Sequence, residues 1–151
     1  MAKEIERKFL VINDDFKSMA QEIHSIKQGY LSTRKEATVR VRVKDDQAYL
    51  TIKGINLGAT RDEWEYPIPA TEARKMLYQL TIGTLIDKTR YIVPFKGHTW
   101  EIDLFHGRHS GLILAEIELS SEDETFHLPP FIGKEVTGDP AYYNSTLASV
   151  D

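Results

Sequence analysis

Hydrophobic and polar residues alternate along most of the chain with the two-residue period of a β-strand. The clearest case is the segment 38–44, where three valines share one face and three basic residues share the other. Glycine-rich and Asp-Asp turns separate such segments at the spacing of antiparallel hairpins. The pattern predicts eight strands, at residues 1–11, 26–33, 38–44, 48–53, 59–68, 84–93, 99–105 and 112–119.

Other segments show the period of an amphipathic helix or the residues that begin one. Thr71 can cap an apolar stripe, and Asp139 is a capping residue followed by proline at the first helical position. Ser121 and Glu124 have the spacing of a capping box. We expect helices at residues 16–23, 73–80 and 139–149, and one short helical turn at residues 121–124.

Composition and charge narrow the class of protein. The 151 residues are most simply one domain, residues 1–151, and the hydrophobic and charged fractions, 41% and 28%, are ordinary. The net charge of −4 argues against a nucleic-acid binder, which would normally carry a basic excess. Because there is no cysteine and no apolar run near 18 residues, we expect neither thiolate metal sites nor a membrane span, and a cytoplasmic location.

Like charges repeat in tandem on the polar faces of the predicted strands. One explanation is an antiparallel sheet whose polar face is simply solvated. Neighbouring like charges repel, however, and this repulsion is unfavourable unless opposite charges or a ligand lie between them. The acidic pairs are Glu4/Glu6, Glu63/Glu65, Glu101/Asp103 and Glu116/Glu118, and the basic residues are Lys8, Arg40, Arg42, Lys53, Lys88 and Arg90.

An eight-stranded antiparallel sheet tends to close on itself, because open edges invite aggregation. With the charged face inward it would form a barrel just wide enough for one small ligand. We therefore predict an α+β fold built on a closed eight-stranded antiparallel barrel with a charged lumen and a few flanking helices. The apolar outer face must then be covered by those helices or by a second copy, so a homodimer is possible.

The two kinds of charge suit two kinds of ligand. Arginine binds phosphate oxygens in a bidentate manner and lysine acts as a point charge, so the basic residues call for an anion. Clustered carboxylates suit a hard divalent cation such as Mg²⁺ or Mn²⁺. Together they indicate a polyphosphate held between basic residues and metal-binding carboxylates, which are the recurring parts of phosphoryl transfer.

The same residues match a known family. The segment Glu4-Ile5-Glu6-Arg7-Lys8 is an ExExK signature, and matching segments follow in order over nearly the whole chain. On these motifs the chain resembles the CYTH, or triphosphate tunnel metalloenzyme, superfamily, and is most similar to its compact bacterial members. The further segments are 29–31, 39–42, 51–53, 61–65, 88–91, 101–103, 116–118 and 133–137.

The resemblance implies a tunnel that hydrolyses triphosphates with Mg²⁺ or Mn²⁺. It assigns metal binding to Glu4, Glu6, Asp103, Glu116 and Glu118. It assigns triphosphate binding to Lys8, Arg40, Arg42, Lys53, Lys88 and Arg90, and Lys134 could reach a tunnel mouth. Catalytic candidates are Tyr30 as a proton acceptor, Lys88, and Glu63 and Glu65, which could pair with basic residues or assist water activation.

Three functions are compatible with these residues. The first is hydrolysis of inorganic tripolyphosphate, with possible activity on nucleoside triphosphates, and the small-molecule triphosphate is then the partner. The second is an adenylyl cyclase that converts ATP to cyclic AMP, which needs a purine pocket at one mouth. The third is a barrel that binds polyphosphate without turnover.

Overall fold

The structure, a computed structural model, describes residues 2–148. Nine strands form one antiparallel sheet, and three short helices and two 3₁₀ turns, at Gly107–His109 and Pro140–Tyr142, accompany it. The helices are α1 (Phe16–Met19), α2 (Ala70–Leu80) and α3 (Asn144–Leu147). The strands are β1 (Ala2–Val11), β2 (Glu22–Arg34), β3 (Ala37–Lys44), β4 (Gln47–Lys53), β5 (Thr60–Ile68), β6 (Ile82–Phe95), β7 (His98–Phe105), β8 (Ile113–Glu118) and β9 (Ile132–Glu135).

The first eight strands close into a barrel. Their order around the ring is β5-β4-β3-β2-β6-β7-β8-β1, and pairing of β1 with β5 completes it. The predicted fold, an α+β protein with a closed eight-stranded antiparallel barrel, is therefore confirmed. Closure leaves no long free edge, which removes the aggregation hazard of an open sheet.

Strand β1 is the seam of the barrel. Residues 2–5 pair with β5, and residues 6–10 pair with β8 on the other edge of the strand. The end of β1 pairs with β9 through Phe9 and Val11. This ninth strand was not predicted, because its four residues, Ile132–Glu135, are too few to establish an alternating pattern.

The apolar outer face is covered from within the same chain. On one side, Ala73 and Leu77 of α2 pack against Val41 and Val43 of β3. On the other side, Phe16, at the start of α1, forms part of the largest buried cluster. Val41 and Phe16 are completely inaccessible to solvent, so these two faces are covered without a second copy of the chain.

One end of the barrel is filled by an apolar plug. Strand register places the side chains of Tyr30, Ile86, Phe105 and Leu114 on the inner face. They pack with residues of the C-terminal segment 136–148, among them Val136 and Ala148. The C-terminal segment therefore closes the end of the barrel at which β2 and β7 finish.

Two of the predicted helices are wrong in extent. Helix α1 ends at Met19 and Ile23 lies in β2, because its backbone pairs with Tyr91 of β6. The predicted C-terminal helix is a 3₁₀ turn and the four-residue α3, and Ser149 lies outside the described residues. Residues 121–124 form a turn with no helix.

Helix α2 lies where the pattern placed it, but begins at Ala70, with Pro69 and not Thr71 as its N-cap. Among residues 2–148, no helix has both the length and the apolar character needed to cross a membrane.

Candidate active site

The charged faces of the strands point into the barrel and line a cavity of about 210 Å³. Two of the predicted site residues, Asp103 and Lys134, are not part of this lining. The predicted residues that do line the cavity are Glu4, Glu6, Lys8, Tyr30, Arg40, Arg42, Lys53, Glu63, Glu65, Lys88, Arg90, Glu116 and Glu118.

Asp103 lies just behind the cavity wall, with only 1% of its surface exposed. Its carboxylate accepts from Lys88 Nζ at 2.7 Å and from Arg90 Nε and Nη2 at 2.8 and 2.9 Å. Burial opposes ionisation of Asp103, but these two cations outweigh it and hold its pKa well below the usual range. In this arrangement both oxygens of the predicted metal ligand Asp103 are engaged in anchoring basic residues. Lys134, on β9, is exposed to solvent away from the cavity.

The basic residues form one wall of the cavity, which we call the basic wall: Lys8, Arg40, Arg42, Lys88 and Arg90. Arg40 is 7% exposed, and its Nε has no hydrogen-bond partner among the described residues. Burial lowers the pKa of Arg42 to about 9, with further lowering from the charges of Arg40 and Arg90. An anion bound here would relieve the repulsion between these cations and would pair the buried donor, so the basic wall favours anion binding.

Lys88 is the most enclosed of these cations. It is 1% exposed, and its ammonium donates to Asp103 and, at 3.0 Å, to Asn144 Oδ1. The ammonium also lies 5.4 Å from the centre of the Phe105 ring, within range of a cation–π interaction. Burial lowers the pKa of Lys88 to about 7, against the opposing effect of Asp103. Lys8 is held in a similar way, donating at 3.0 Å to the carbonyl of Tyr142.

The carboxylates form the second wall, which we call the acidic wall: Glu4, Glu6, Glu63, Glu116 and Glu118. Burial raises the pKa of Glu6 well above its usual value, and the charges of Glu116 and Glu4 raise it further. Burial also opposes ionisation of Glu116, but Lys8 and a hydrogen bond from Glu6 lower its pKa to about 2. Burial and neighbouring charge therefore shift the two pKa values in opposite directions, Glu6 toward the protonated form and Glu116 toward the ionised form.

Lys53 neutralises part of the acidic wall. Its ammonium donates to both oxygens of Glu4, at 2.8 and 2.9 Å, and lies 3.4 Å from Glu63. Burial raises the pKa of Glu63, and the nearby charge of Glu4 raises it further. The pKa of Glu118 is raised for the same two reasons. The single positive charge of Lys53 thus compensates only part of the negative charge of these carboxylates, which repel one another.

Glu65 belongs to the boundary between the two walls. It accepts a hydrogen bond of 2.7 Å from the hydroxyl of Thr51 and lies 3.6 Å from Arg40 Nη2. Thr51 is buried and also accepts from Arg40 at 3.2 Å. Glu65 therefore lies within ion-pair distance of a basic residue in this structure.

The acidic wall suits a divalent cation by its chemistry. All its donors are carboxylate oxygens, which Mg²⁺ and Mn²⁺ prefer, and their mutual repulsion would be relieved by a cation between them. Within residues 2–148, no three acidic or histidine side chains are already closed around a metal position. Glu4 accepts a hydrogen bond from Lys53, and the charge of Glu116 acts on Glu6.

The structure adds site residues that sequence reasoning missed. Gln28 is fully buried beside Arg42, and Asn144 bonds to both Gln28 and Lys88. Arg61 lines the cavity and donates to the carbonyl of Gly54. Gln28 and Arg61 carry a signal that alternation could have found, because each lies on the inner face of its strand. Asn144 carries none, since only the folding back of the C-terminal segment brings it to the cavity.

A closed barrel with one basic and one acidic inner wall defines a class of proteins that bind a polyanion together with a metal ion. The chain belongs to the CYTH domain family, whose profile matches residues 2–144. This confirms the resemblance drawn from the motifs, and the family implies a divalent metal cofactor.

Relatives of known name are similar along their whole length. The chain is 49% identical over 147 residues to an inorganic triphosphatase of Acetivibrio thermocellus, covering 97% of this chain and 94% of that protein. It is 39% identical over 151 residues to an inorganic triphosphatase of Nitrosomonas europaea, covering 96% of each. A crystal structure of an inorganic triphosphatase matches with a TM-score of 0.69 at 35% identity, covering 98% of this chain and 99% of that one.

Proposed function

We propose that this protein hydrolyses inorganic tripolyphosphate with the help of a divalent metal ion, Mg²⁺ or Mn²⁺. The observation that carries the proposal is the separation of charge inside the barrel, with a basic wall facing the cavity beside an acidic wall. The Nε of Arg40, buried without a hydrogen-bond partner among the described residues, supports an anion at the basic wall, and the burial and the charges of Glu116 and Glu4 that raise the pKa of Glu6 support a cation at the acidic wall.

The choice of tripolyphosphate among triphosphates is supported by the relatives. Two of them that are aligned over almost their full length are named inorganic triphosphatases. Adenylyl cyclase activity would need a purine pocket next to the phosphates. The cavity lining is instead dominated by charged and small polar side chains, with Tyr30, Val136 and Tyr143 as its large apolar or aromatic members.

The basic wall binds the phosphate chain. Arg42 uses its Nε on Gln28, and its two terminal nitrogens, which have no hydrogen-bond partner among residues 2–148, can bind phosphate oxygens as a fork. Lys88 and Arg90, both anchored by Asp103, place two further charges beside it. These residues neutralise the charge that accumulates on the phosphate oxygens and on the leaving group during transfer.

The acidic wall holds the metal ion. Glu4, Glu6, Glu116 and Glu118 are the residues that would bind it, and a bound cation would favour the ionised form of Glu6, whose pKa is raised by burial. When bound, a divalent ion supplies charge neutralisation at the phosphate oxygens and helps to activate water.

The reaction joins a water oxygen to the terminal phosphorus and breaks the bond from that phosphorus to the bridging oxygen. Pyrophosphate leaves with the electron pair of the broken bond, and orthophosphate is the other product. A carboxylate at the edge of the acidic wall receives the proton that water loses, and Glu63 and Glu65 are the residues we assign to this role. Tyr30, whose side chain packs in the apolar plug beside the cavity, stays the alternative acceptor.

The experiment is a phosphate-release assay on the purified protein with tripolyphosphate, ATP, thiamine triphosphate and pyrophosphate, each with Mg²⁺, with Mn²⁺ and with EDTA. We expect release from tripolyphosphate that requires a divalent metal and exceeds release from the other three substrates. Cyclic AMP is measured in the ATP reactions. Absence of release with either metal would contradict the proposal, and tight binding of tripolyphosphate without release would instead indicate a binding protein.

A further inference from the structure

The basic wall is tied together by two amide side chains outside it, the fully buried Gln28 and the half-buried Asn144. Arg42 Nε donates to Gln28 Oε1 at 2.7 Å, and Gln28 Nε2 donates to Asn144 Oδ1 at 3.0 Å. Lys88 Nζ donates to the same Asn144 oxygen at 3.0 Å. The three hydrogen bonds form an unbroken path from one cation of the wall to the other.

Both amides are fixed in orientation by their neighbours. A glutamine side chain has one acceptor and one donor group, and here the oxygen takes the bond from Arg42, which leaves the nitrogen for Asn144. Gln28 is 0% exposed, so no solvent competes for either end. Because Asn144 accepts from two donors through a single oxygen, moving either donor disturbs the other.

The amides restrict the directions in which the cations can donate. An ammonium has three N–H groups, and Asp103 and Asn144 take two of those of Lys88. Only one N–H remains, and its direction is set by the other two. The guanidinium of Arg42 is likewise pinned at Nε, which fixes the plane of the two terminal nitrogens. Cations held in this way lose less rotamer freedom when an anion binds.

We propose that Gln28 and Asn144 are positioning residues that fix Arg42 and Lys88 relative to each other for binding a phosphate chain. Gln28 lies outside the cavity lining and acts through these cations, and Asn144, which also lines the cavity, acts through its hydrogen bonds with Gln28 and Lys88. The inference rests on the proposed function, since it takes tripolyphosphate as the anion. It also gives the C-terminal segment a role beyond closing the barrel, because Asn144 is the residue through which that segment reaches the basic wall.

The test uses the full-length variants Asn144→Ala, Gln28→Met and the double variant. Binding of tripolyphosphate is measured by calorimetry in EDTA, where no metal supports hydrolysis and the basic wall is the main attraction. We expect each single variant to weaken binding about tenfold, as for loss of a hydrogen bond to a charged group. The double variant should be little weaker than either single one, because both break the same path.

Two control variants separate positioning from loosening of the fold. Leu147→Ala removes apolar packing from the plug but leaves the hydrogen bonds of Lys88 in place. It should therefore lower the melting temperature, and it should change the dissociation constant less than Asn144→Ala does. Asn13→Ala makes the same substitution at the exposed turn before α1, where it removes one hydrogen bond from the Asp15 N–H, and should leave the dissociation constant unchanged.

A second readout does not depend on the substrate. In protein labelled with ¹⁵N-arginine, the Nε–H signal of Arg42, identified by its loss in Arg42→Ala, should exchange slowly with solvent. Asn144→Ala should speed that exchange, because the Gln28 amide is then free to turn. Unchanged exchange and unchanged binding in both single variants would overturn the inference. If the unmodified protein binds no tripolyphosphate, the proposed function fails, and the exchange rates alone then decide whether the amides fix Arg42.

Discussion

Lys8 of β1 lies directly opposite Glu116 of β8 in the antiparallel register, and here the two walls of the cavity meet. Lys8 is the largest attractive influence on Glu116 and keeps that carboxyl ionised, with a pKa of about 2, in spite of burial. Glu6, two residues before Lys8 on the same strand, has its pKa raised by burial and by the charges of Glu116 and Glu4. The boundary between anion and cation sites is therefore built into one pair of strands.

The ionised state of Glu116 makes it a strong candidate for holding the metal. We expect Glu116→Gln to raise the Mg²⁺ or Mn²⁺ concentration needed for half-maximal activity by about tenfold or more, as for loss of a ligand or its close support. The measurement is a metal titration of phosphate release at saturating tripolyphosphate. Glu72→Gln, at an exposed position of α2, is the matched control. A titration identical to that of the unmodified protein would remove Glu116 from the metal site.

The free terminal nitrogens of Arg42 predict a graded response to substitution. Arg42→Ala should lower kcat/KM for tripolyphosphate by about 10- to 100-fold, the effect of losing hydrogen bonds to a charged group. Arg42→Lys should recover only part of it, because lysine keeps the charge but cannot form the fork. Arg74→Ala, on the exposed side of α2, should have no effect. Full recovery in Arg42→Lys would show that the fork is not used, and unchanged kinetics in Arg42→Ala would remove Arg42 from the binding site.

How much of this site the sequence predicts depends on how each residue reaches the cavity. Arg40 and Arg42 reach it by alternation along β3, which is a property of the extended backbone and is visible in the sequence. Asn144 reaches it through tertiary packing of the C-terminal segment, for which no local pattern exists. Asp103 has the right face, but alternation cannot show that Lys88 and Arg90 surround its carboxylate.

The same distinction, between local sequence pattern and tertiary packing, explains the errors in the predicted fold. Residues 16–23 have helical spacing, yet Ile23 pairs with Tyr91, and pairing along a strand as long as β2 outweighs one further turn of a short helix. Strand β9 exists because β1 extends beyond the part that β5 covers and offers a free edge to Ile132–Glu135. Neither partner strand can be known from the local sequence.

The raised pKa of Glu6 predicts that this carboxylate, which we assign to the metal site, lowers the stability of the protein at high pH when no metal is bound. Below the unfolded-state pKa of about 4.5 the group is protonated in both states. As the pH rises through the raised pKa of the folded state, the folded protein holds its proton more tightly than the unfolded chain does, so the contribution of Glu6 to stability is progressively lost. Glu6→Gln, which keeps a donor toward Glu116, should therefore stabilise the metal-free protein more at pH 8 than at pH 5.

Thermal unfolding in EDTA measures this difference. We expect the melting temperature of Glu6→Gln to exceed that of the unmodified protein by about 2 °C or more at pH 8, about 1 kcal/mol for a domain of this size. Added Mg²⁺ or Mn²⁺ should raise the melting temperature of the unmodified protein, and it should raise that of the variant much less. A difference between the two proteins that stays the same from pH 5 to pH 8 would contradict the assignment.

Gly29 of β2 faces outward against the end of α2, where there is no room for a side chain. A Cβ atom at this position would overlap Thr81 Oγ1 and lie 2.8 Å from Thr81 Cγ2 and 3.1 Å from Leu77 Cδ2. Thr81 cannot easily turn away, because it is β-branched and its hydroxyl donates to the Leu77 carbonyl at 2.6 Å. Gly29→Ala should therefore destabilise the protein by about 1–3 kcal/mol, the usual cost of overpacking.

A compensating substitution makes this prediction specific to the Thr81 contact. Thr81→Ala removes both overlapping atoms. The loss in free energy of unfolding in the double variant Gly29→Ala/Thr81→Ala should therefore be smaller than the sum of the losses in the two single variants. Chemical denaturation of the four proteins, with the midpoints and slopes compared, gives the coupling energy. Additive losses would mean that the overlap is relieved by movement of the β2 backbone. Such movement would also displace Gln28, the preceding residue, and should then appear as weaker tripolyphosphate binding in Gly29→Ala.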